Sequence, residues 1–289
     1  MYPKRTTDGR IPKMGYIDLH VHSTASDGTM TPSELVDYAC EKGLVAFALT
    51  DHESVEGIAE AMARAKDKPV DVIAGVEFAC PYKGSEIHIL GYNFNYRSEP
   101  LLNALANIRK ARADRNDKMC ALLRKHGMEV TFDELKKRFH SENISRGNFA
   151  TILTEKGYVK DRAEAFEKYL GTTCPCYIPR FRLSAEKVNT LIRLAGGVCS
   201  LAHPVMYKFS DEEYDELMAM LKDIGISRIE AIYSRNTFDD DIKFKDLAKK
   251  YGFLITGGSD FHGSVKPDID LGTGCGNLMI SEEILKNIM

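Results

Sequence analysis

The chain has 289 residues, with 39 Lys and Arg against 42 Asp and Glu, a formal net charge of −3 and ordinary apolar and charged fractions. That length supports one large domain or two moderate ones around a substantial core. The charge balance gives no bulk basis for nucleic-acid binding, which leaves only a local basic groove, and no apolar run approaches membrane-spanning length. Met1 to Lys13 is polar rather than signal-like, so a cytoplasmic chain is expected, with no membrane association and no obligate protein partner. The seven cysteines are scattered and odd in number, as suits reduced thiols in a cytosol; the close-set Cys174 and Cys176 read as structural.

Taken in order, Tyr16 to Val21 is an apolar strand ending in His20-Val21-His22-Ser23, followed by Ser26-Asp27-Gly28. Alternate residues of a strand share a face, so His20 and His22 point the same way. Thr31-Pro32-Ser33-Glu34 predicts a helix start, with Thr31 as N-cap, Pro32 in the first turn and Glu34 closing a capping box; Gly43 ends the helix. Val45 to Leu49 is a continuously apolar strand leading to Thr50-Asp51-His52. A helix from Val55 to Ala65 then precedes strand Val72–Val76, which ends in Glu77, and Ile87 to Tyr92 is a strand carrying His88. Further on, a helix over Ala185–Ala195 leads to a strand ending in His203-Pro204. Another helix, over Asp211–Ile224 with Ser210 and Glu213 as a capping box, leads to strand Ile229–Tyr233. A last helix over Asp240–Lys250 leads to Phe253–Thr256 and then Ser259-Asp260-Phe261-His262.

Seven buried-type strands alternating mostly with helices predict a parallel α/β sheet closed into a distorted seven-stranded barrel. Chemistry in such barrels collects at the C-terminal strand ends. Six of the seven strands carry a His, Asp or Glu at or near that end. The stretch from Pro100 to Cys176 breaks the pattern and reads as helices, from Leu101 to His126, Phe132 to His140, Asn148 to Glu155 and Asp161 to Leu170. The predicted organisation is therefore a barrel domain over 1–99 and 177–289, with a helical insertion over 100–176 as a cap or wall at the barrel mouth. The first inserted helix carries Arg109, Lys110, Arg112, Arg115, Lys118, Arg124 and Lys125, a solvated face or a contact for an anionic substrate.

One barrel face would collect His20, His22, Asp27, His52, Glu77, His88, His203, Asp260 and His262. Nine imidazoles and carboxylates at one mouth need a divalent cation to offset repulsion and desolvation, and this donor set suits Zn²⁺, Mn²⁺ or Fe²⁺. The absence of cysteine argues against a closed structural zinc site. Asp51 reads instead as a helix cap or a hydrogen-bond partner of a neighbouring histidine, and His126 and His140 as structural.

These residues carry a resemblance. His20-Val21-His22-Ser23 with Asp27-Gly28, Thr50-Asp51-His52, Gly75-Val76-Glu77, His88 to Tyr92, Ala202-His203-Pro204 and Ser259 to His262 resemble the PHP (polymerase and histidinol phosphatase) superfamily of metal-dependent phosphoesterases. The chain most resembles the subgroup that removes phosphate from 3',5'-bisphosphonucleotides and trims short RNA from the 5' end, on Ile144-Ser145-Arg146-Gly147-Asn148, Lys156 to Val159, Tyr169 to Gly171 and Tyr177 to Arg180. It departs from the subgroup's Arg-Pro-His at Arg146-Gly147-Asn148. The resemblance implies two or three divalent ions (Mn, Fe or Zn). One would be held by His20, His22, Glu77 and Asp260, a second by Asp27, His52 and His262, and a third by Glu77, His88 and His203. The catalytic water would bridge two ions, held by Glu77, Asp260, His20 and His22, and attack phosphorus in line. Arg146, Arg180 and Arg235 are the candidates to bind substrate phosphate, since a guanidinium matches phosphate bidentately. The expected function is hydrolysis of phosphorylated nucleotides or small molecules, with short RNA as a further substrate. Three alternatives stand beside it: a histidinol-phosphate-type phosphatase, a C–N hydrolase, for which no strand-end lysine is seen, and a non-catalytic metal-binding module.

Overall fold

The structure, a computed structural model, describes residues 15–139 and 144–289. His140 lies outside the described residues. The chain divides into two compact units, one comprising the described residues through Leu101 together with Leu183–Met289, the other Leu102–Arg182.

The first unit holds a seven-stranded sheet in sequence order: β1 (Tyr16–Val21), β2 (Leu44–Leu49), β3 (Asp71–Tyr82), β4 (Ser85–Tyr92), β5 (Val198–Leu201), β6 (Arg228–Tyr233) and β7 (Leu254–Gly258). β1 returns to the segment after β7 through a Val21–Phe261 bridge, with the His22 N–H donating to the Phe261 carbonyl at 2.9 Å, so the barrel is nearly closed. Its helices are α1 (Pro32–Lys42) and α2 (Ile58–Ala65), then, beyond the inserted α3 (Glu99–Lys125), α4 (Phe132–Phe139), α5 (Arg146–Glu155) and α6 (Arg162–Ala165), the three helices α7 (Ala185–Leu194), α8 (Asp211–Asp223) and α9 (Phe238–Tyr251).

Local signals set these boundaries. Thr31 caps α1 reciprocally with Glu34, Pro32 opens it, and Gly43 closes it at φ 72°. Ser210 and Glu213 do the same for α8. α9 starts two residues before Asp240, because Thr237 and Asp240 form the capping box and Asp240 is its third helical residue. The packed core of this unit includes Ile17, Leu19, Ala46, Ala48, Leu90 and Tyr92 from β1, β2 and β4, closed by Leu278 and Ile280.

One expectation is corrected. The sheet is not wholly parallel, because β4 runs antiparallel to both β3 and β5. The cause is the two-residue turn Lys83-Gly84, with φ of 43° and 78°, which folds β3 directly back into β4 as a hairpin. β3 is 12 residues long rather than ending at Glu77, and the extra length pairs with β4. In that register Ala79 faces His88 and Glu77 faces Leu90, so Glu77 and His88 lie diagonally on one face.

The second unit is helical, with no strand among its described residues. Its core joins Met119, Leu123, Leu135, Phe149, Leu153 and Leu170. The helix expected over Asp161–Leu170 is α6 followed by a π-helical turn at Phe166–Leu170, closed by the Gly171 N–H donating to the Phe166 carbonyl. Asn148, where the resemblance expects histidine, is the third helical residue of α5 and closes a capping box on Ser145, its Oδ1 accepting from the Ser145 N–H at 2.8 Å. No cysteine is disulfide-bonded, and no described helix is long and apolar enough to cross a membrane.

Candidate metal centre

All nine residues expected at the barrel mouth converge, with Glu77 at the middle. His20 is the last residue but one of β1 and His22 follows the strand, and both are fully buried. Their Nε2 atoms each lie 3.3 Å from Glu77 Oε2, and 3.7 and 3.4 Å from Asp260 Oδ1. Glu77 Oε1 lies 2.7 Å from His88 Nδ1 and 3.0 Å from His203 Nε2. On the other side, Asp27 lies 3.3 Å from His262 Nε2, 3.9 Å from His52 Nε2 and 3.8 Å from His22 Nδ1. His22 therefore reaches both groups through its two ring nitrogens, and His52 joins them through Nδ1, 3.1 Å from Glu77 Oε2.

This donor set fits divalent ions. His20 Nε2, both ring nitrogens of His22, and Glu77 Oε2 are buried with no hydrogen-bond partner, although carboxylates lie close to the imidazoles and imidazoles to the carboxylate. A buried orphaned polar atom costs about 1–3 kcal/mol, so several together in a site without cysteine point to ligands of a metal rather than to a hydrogen-bonded network. Without an ion, the carboxylates press a proton onto part of the cluster. Burial opposes protonation of His22, but the neighbouring carboxylates of Asp260 and Glu77 outweigh it and raise the group to about 9. Burial dominates at His52, which falls to about 4 despite Glu77 and Asp27. The surrounding imidazoles outweigh burial at Glu77 and hold its carboxyl well below the usual range.

The backbone is bent to make the site. Asp260 and His203 adopt φ of 60° and 24°, conformations that cost a non-glycine residue of order 1–3 kcal/mol. The Asp260 N–H donates to the His20 carbonyl at 2.8 Å, and the His203 N–H to Glu230 Oε2 at 2.7 Å, which offset that strain. Gly258, two residues before Asp260, permits the close approach of β7 to β1, since a Cβ there would lie 2.3 Å from His20 Cβ and 2.6 Å from its backbone nitrogen. Gly258→Ala is expected to displace β1 from β7 and to lower stability by at least about 1–3 kcal/mol, read as a shift in the urea midpoint.

Three supporting acids escaped the sequence reading or were given other partners. Glu230, fully buried in β6, has Oε1 3.0 Å from His20 Nδ1. By accepting from Nδ1–H it turns the Nε2 lone pair toward Glu77 and Asp260. Asp18 accepts from the Ser259 and Gly272 N–H groups, both at 2.8 Å, tying β1 to the chain after β7. Asp51 neither caps a helix nor bonds a histidine. It accepts from the Ser23 N–H at 2.7 Å and the Ser26 hydroxyl at 2.6 Å, shaping the loop that presents Asp27. An isolated acid inside an otherwise apolar strand was the available signal for Glu230.

Beside the cluster lies a cavity of about 450 Å³, lined by His52, Glu77, His88, His203 and Asp260 on the ligand side and by Tyr233, Arg235 and Lys266 elsewhere. That volume suits a small-molecule site. Arg235 lines it and pairs with Asp268 at 3.0 Å. In the second unit, Arg146 stacks on Phe166 and Tyr177 and donates to the Leu170 carbonyl at 3.2 Å. Burial and the charges of Arg146, Arg180 and Arg112 lower the Arg115 guanidinium to about 10. Arg112 and Arg115 are thus buried among like charges rather than on a solvated helix face.

A barrel whose strand ends gather imidazoles and carboxylates around orphaned lone pairs defines the class of metal-dependent hydrolases. The chain belongs to the PHP domain family, whose model matches residues 18–252. It is 34% identical over 260 residues to the 3',5'-nucleoside bisphosphate phosphatase of Chromobacterium violaceum, covering 90% of this chain and 91% of that one. It is 30% identical to the 5'-3' exoribonuclease Rnm of Escherichia coli, over 88% of this chain and 87% of the other. Among solved structures it is similar to an amidohydrolase from C. violaceum with sulfate bound (TM-score 0.77, 32% identity, 95% and 98% covered). It is also similar to a protein of Bifidobacterium adolescentis described as a metal-dependent phosphoesterase (TM-score 0.76, 27% identity, 96% of each chain).

Proposed function

We propose that this PHP-family hydrolase releases phosphate from nucleotides such as 3',5'-bisphosphonucleotides and also shortens RNA from the 5' end, in the cytoplasm, using two or three divalent ions of Mn, Fe or Zn. The carrying observation is the convergence of His20, His22, Asp27, His52, His88, His203, Asp260 and His262 around the buried carboxylate of Glu77. When bound, such ions supply Lewis acidity toward a phosphoryl oxygen and acidify water near neutral pH.

The chain's own residues then do the rest. His20, His22, Glu77 and Asp260 form one ligand group, Asp27, His52 and His262 a second, and Glu77, His88 and His203 a third. Glu77 serves two groups because its two oxygens face different histidines. Glu230 fixes the His20 tautomer, and Arg235 presents a guanidinium to the cavity. Arg146 and Arg180 are the candidates to bind a second phosphate. Arg146 is held for this by stacking on Phe166 and Tyr177. Both the named activity of the C. violaceum relative and the sulfate in the similar structure from that organism fit a doubly anionic substrate.

The test is phosphate release with defined metals from 3',5'-bisphosphoadenosine, histidinol phosphate, an aryl phosphate and short RNA. The bisphosphate should be preferred; preference for histidinol phosphate would replace this reading. Arg146→Ala should weaken kcat/KM for the bisphosphate roughly 10- to 100-fold, as expected for a lost charge-assisted hydrogen bond, and leave the aryl phosphate nearly unchanged. Equal losses on both substrates would remove Arg146 from substrate binding.

A further inference from the structure

Lys266 lies eight residues beyond the end of β7, after the short 3-10 turn Gly263–Val265, at a position that no strand-end pattern marks. Its Nζ is 2.7 Å from Asp260 Oδ2, and its side chain lines the cavity beside the metal centre. We propose that Lys266 is a substrate-contacting residue that receives a non-bridging oxygen of the scissile phosphoryl group. The proposal rests on the phosphoester reading of the site and names the protein side of its phosphate pocket.

Asp260 divides its work between its two oxygens. Oδ1 faces His20 and His22, at 3.7 and 3.4 Å, and belongs to the ligand group. Oδ2 faces the other way and takes both the Tyr233 hydroxyl at 2.8 Å and the Lys266 ammonium. Lys266 is thereby tethered next to the place where a phosphoryl group must lie to meet the ligand group. An ammonium has three donors, and Asp260 accepts one of them.

The charges on the cavity wall point the same way. Its carboxylates are Glu77 and Asp260, both committed to the cluster of imidazoles, and its cations outside that cluster are Arg235 and Lys266. Arg235 is already matched by Asp268 at 3.0 Å. Once Asp260 shares its charge with a cation on Oδ1, the Lys266 ammonium is the cavity charge left to be met by an anion. Lys266 is 29% exposed, enough for a ligand in the cavity to reach it.

The alternative is that Lys266 only positions Asp260, and the experiment separates the two. Metal-loaded wild type, Lys266→Met and Lys266→Arg would be compared for bound metal per chain, for inhibition by inorganic phosphate, and for kcat/KM on 3',5'-bisphosphoadenosine. The proposal expects unchanged metal content in Lys266→Met, with phosphate affinity and kcat/KM each lowered roughly 10- to 100-fold and largely restored by Lys266→Arg. Unchanged phosphate affinity in Lys266→Met would overturn it. So would a loss of metal that by itself accounts for the lost turnover. If the wild type neither releases phosphate from the bisphosphate nor binds inorganic phosphate, the phosphoester reading falls instead, and Lys266 with it.

Discussion

His22→Ala and Asp260→Ala are each expected to lower phosphate release from 3',5'-bisphosphoadenosine by at least about 10²- to 10³-fold in kcat. His22 is the cleaner site. Its imidazole is fully buried, its two nitrogens face both Glu77 and Asp27, and no hydrogen bond satisfies either. Removing it takes a donor from the group formed with His20, Glu77 and Asp260 and leaves no unmatched hydrogen-bond partner behind. At Asp260 two effects combine. The carboxylate vanishes from the ligand group, and alanine must adopt φ near 60°, where a Cβ without a polar tip costs about 1–2 kcal/mol. Asp260→Asn tolerates that conformation better and should lose activity with less loss of stability. Near wild-type turnover in either His22→Ala or Asp260→Ala would remove the site assignment.

Glu230→Ala is expected to have the next largest effect, acting through His20 and His203. The change leaves the His20 Nδ1–H and the His203 N–H without their acceptor in a fully buried position. At about 1–3 kcal/mol for each abandoned donor, the metal-free protein should lose about 2–6 kcal/mol of stability, read in urea unfolding. Metal affinity should fall roughly 10- to 100-fold, as it does when an outer carboxylate is taken from a ligating histidine. Glu230→Gln keeps an acceptor for the His203 N–H, so its stability loss is smaller. Its amide N–H, however, faces His20 Nδ1 and favours the tautomer with the proton on Nε2, where a ligand's lone pair is needed. Metal titration should therefore show Gln weakened even where unfolding shows it stable. Wild-type affinity in both variants would mean that Glu230 serves packing alone.

Much of this centre is legible in the sequence because the candidate ligands sit where the chain leaves a strand, and an apolar run broken by His, Asp or Glu is a local signal. His20, His22, His52, Glu77, His203 and Asp260 all announce themselves in that way. The residues that support them do not. Glu230 meets His20 across 210 positions of chain, and Lys266 reaches Asp260 from a loop with no periodic pattern. Strand direction was hidden for a different reason. A continuous apolar run gives burial but no direction, so β4 reads as one more parallel strand unless Lys83-Gly84 is recognised as a hairpin turn. Capping boxes mark the helix starts at Thr31 and Ser210, whereas at Thr237 the box is closed by Asp rather than Glu or Gln, a weaker sequence signal that leaves Asp240 as the apparent start. The π-helical turn at Phe166–Leu170 has no counterpart in an apolar periodicity of 3.6 residues.

If the side chains around Glu77 hold divalent ions for hydrolysis of a phosphoester, activity must follow the metal. Bound metal and phosphate release would be measured on one sample of the protein, with 3',5'-bisphosphoadenosine as substrate, before chelation, after it, and after Mn²⁺ is returned. Release is expected to stop when the metal is removed and to recover with the ion. A protein that binds metal stoichiometrically yet releases no phosphate from this or any other phosphoester would contradict this reading and leave a metal-binding module in its place.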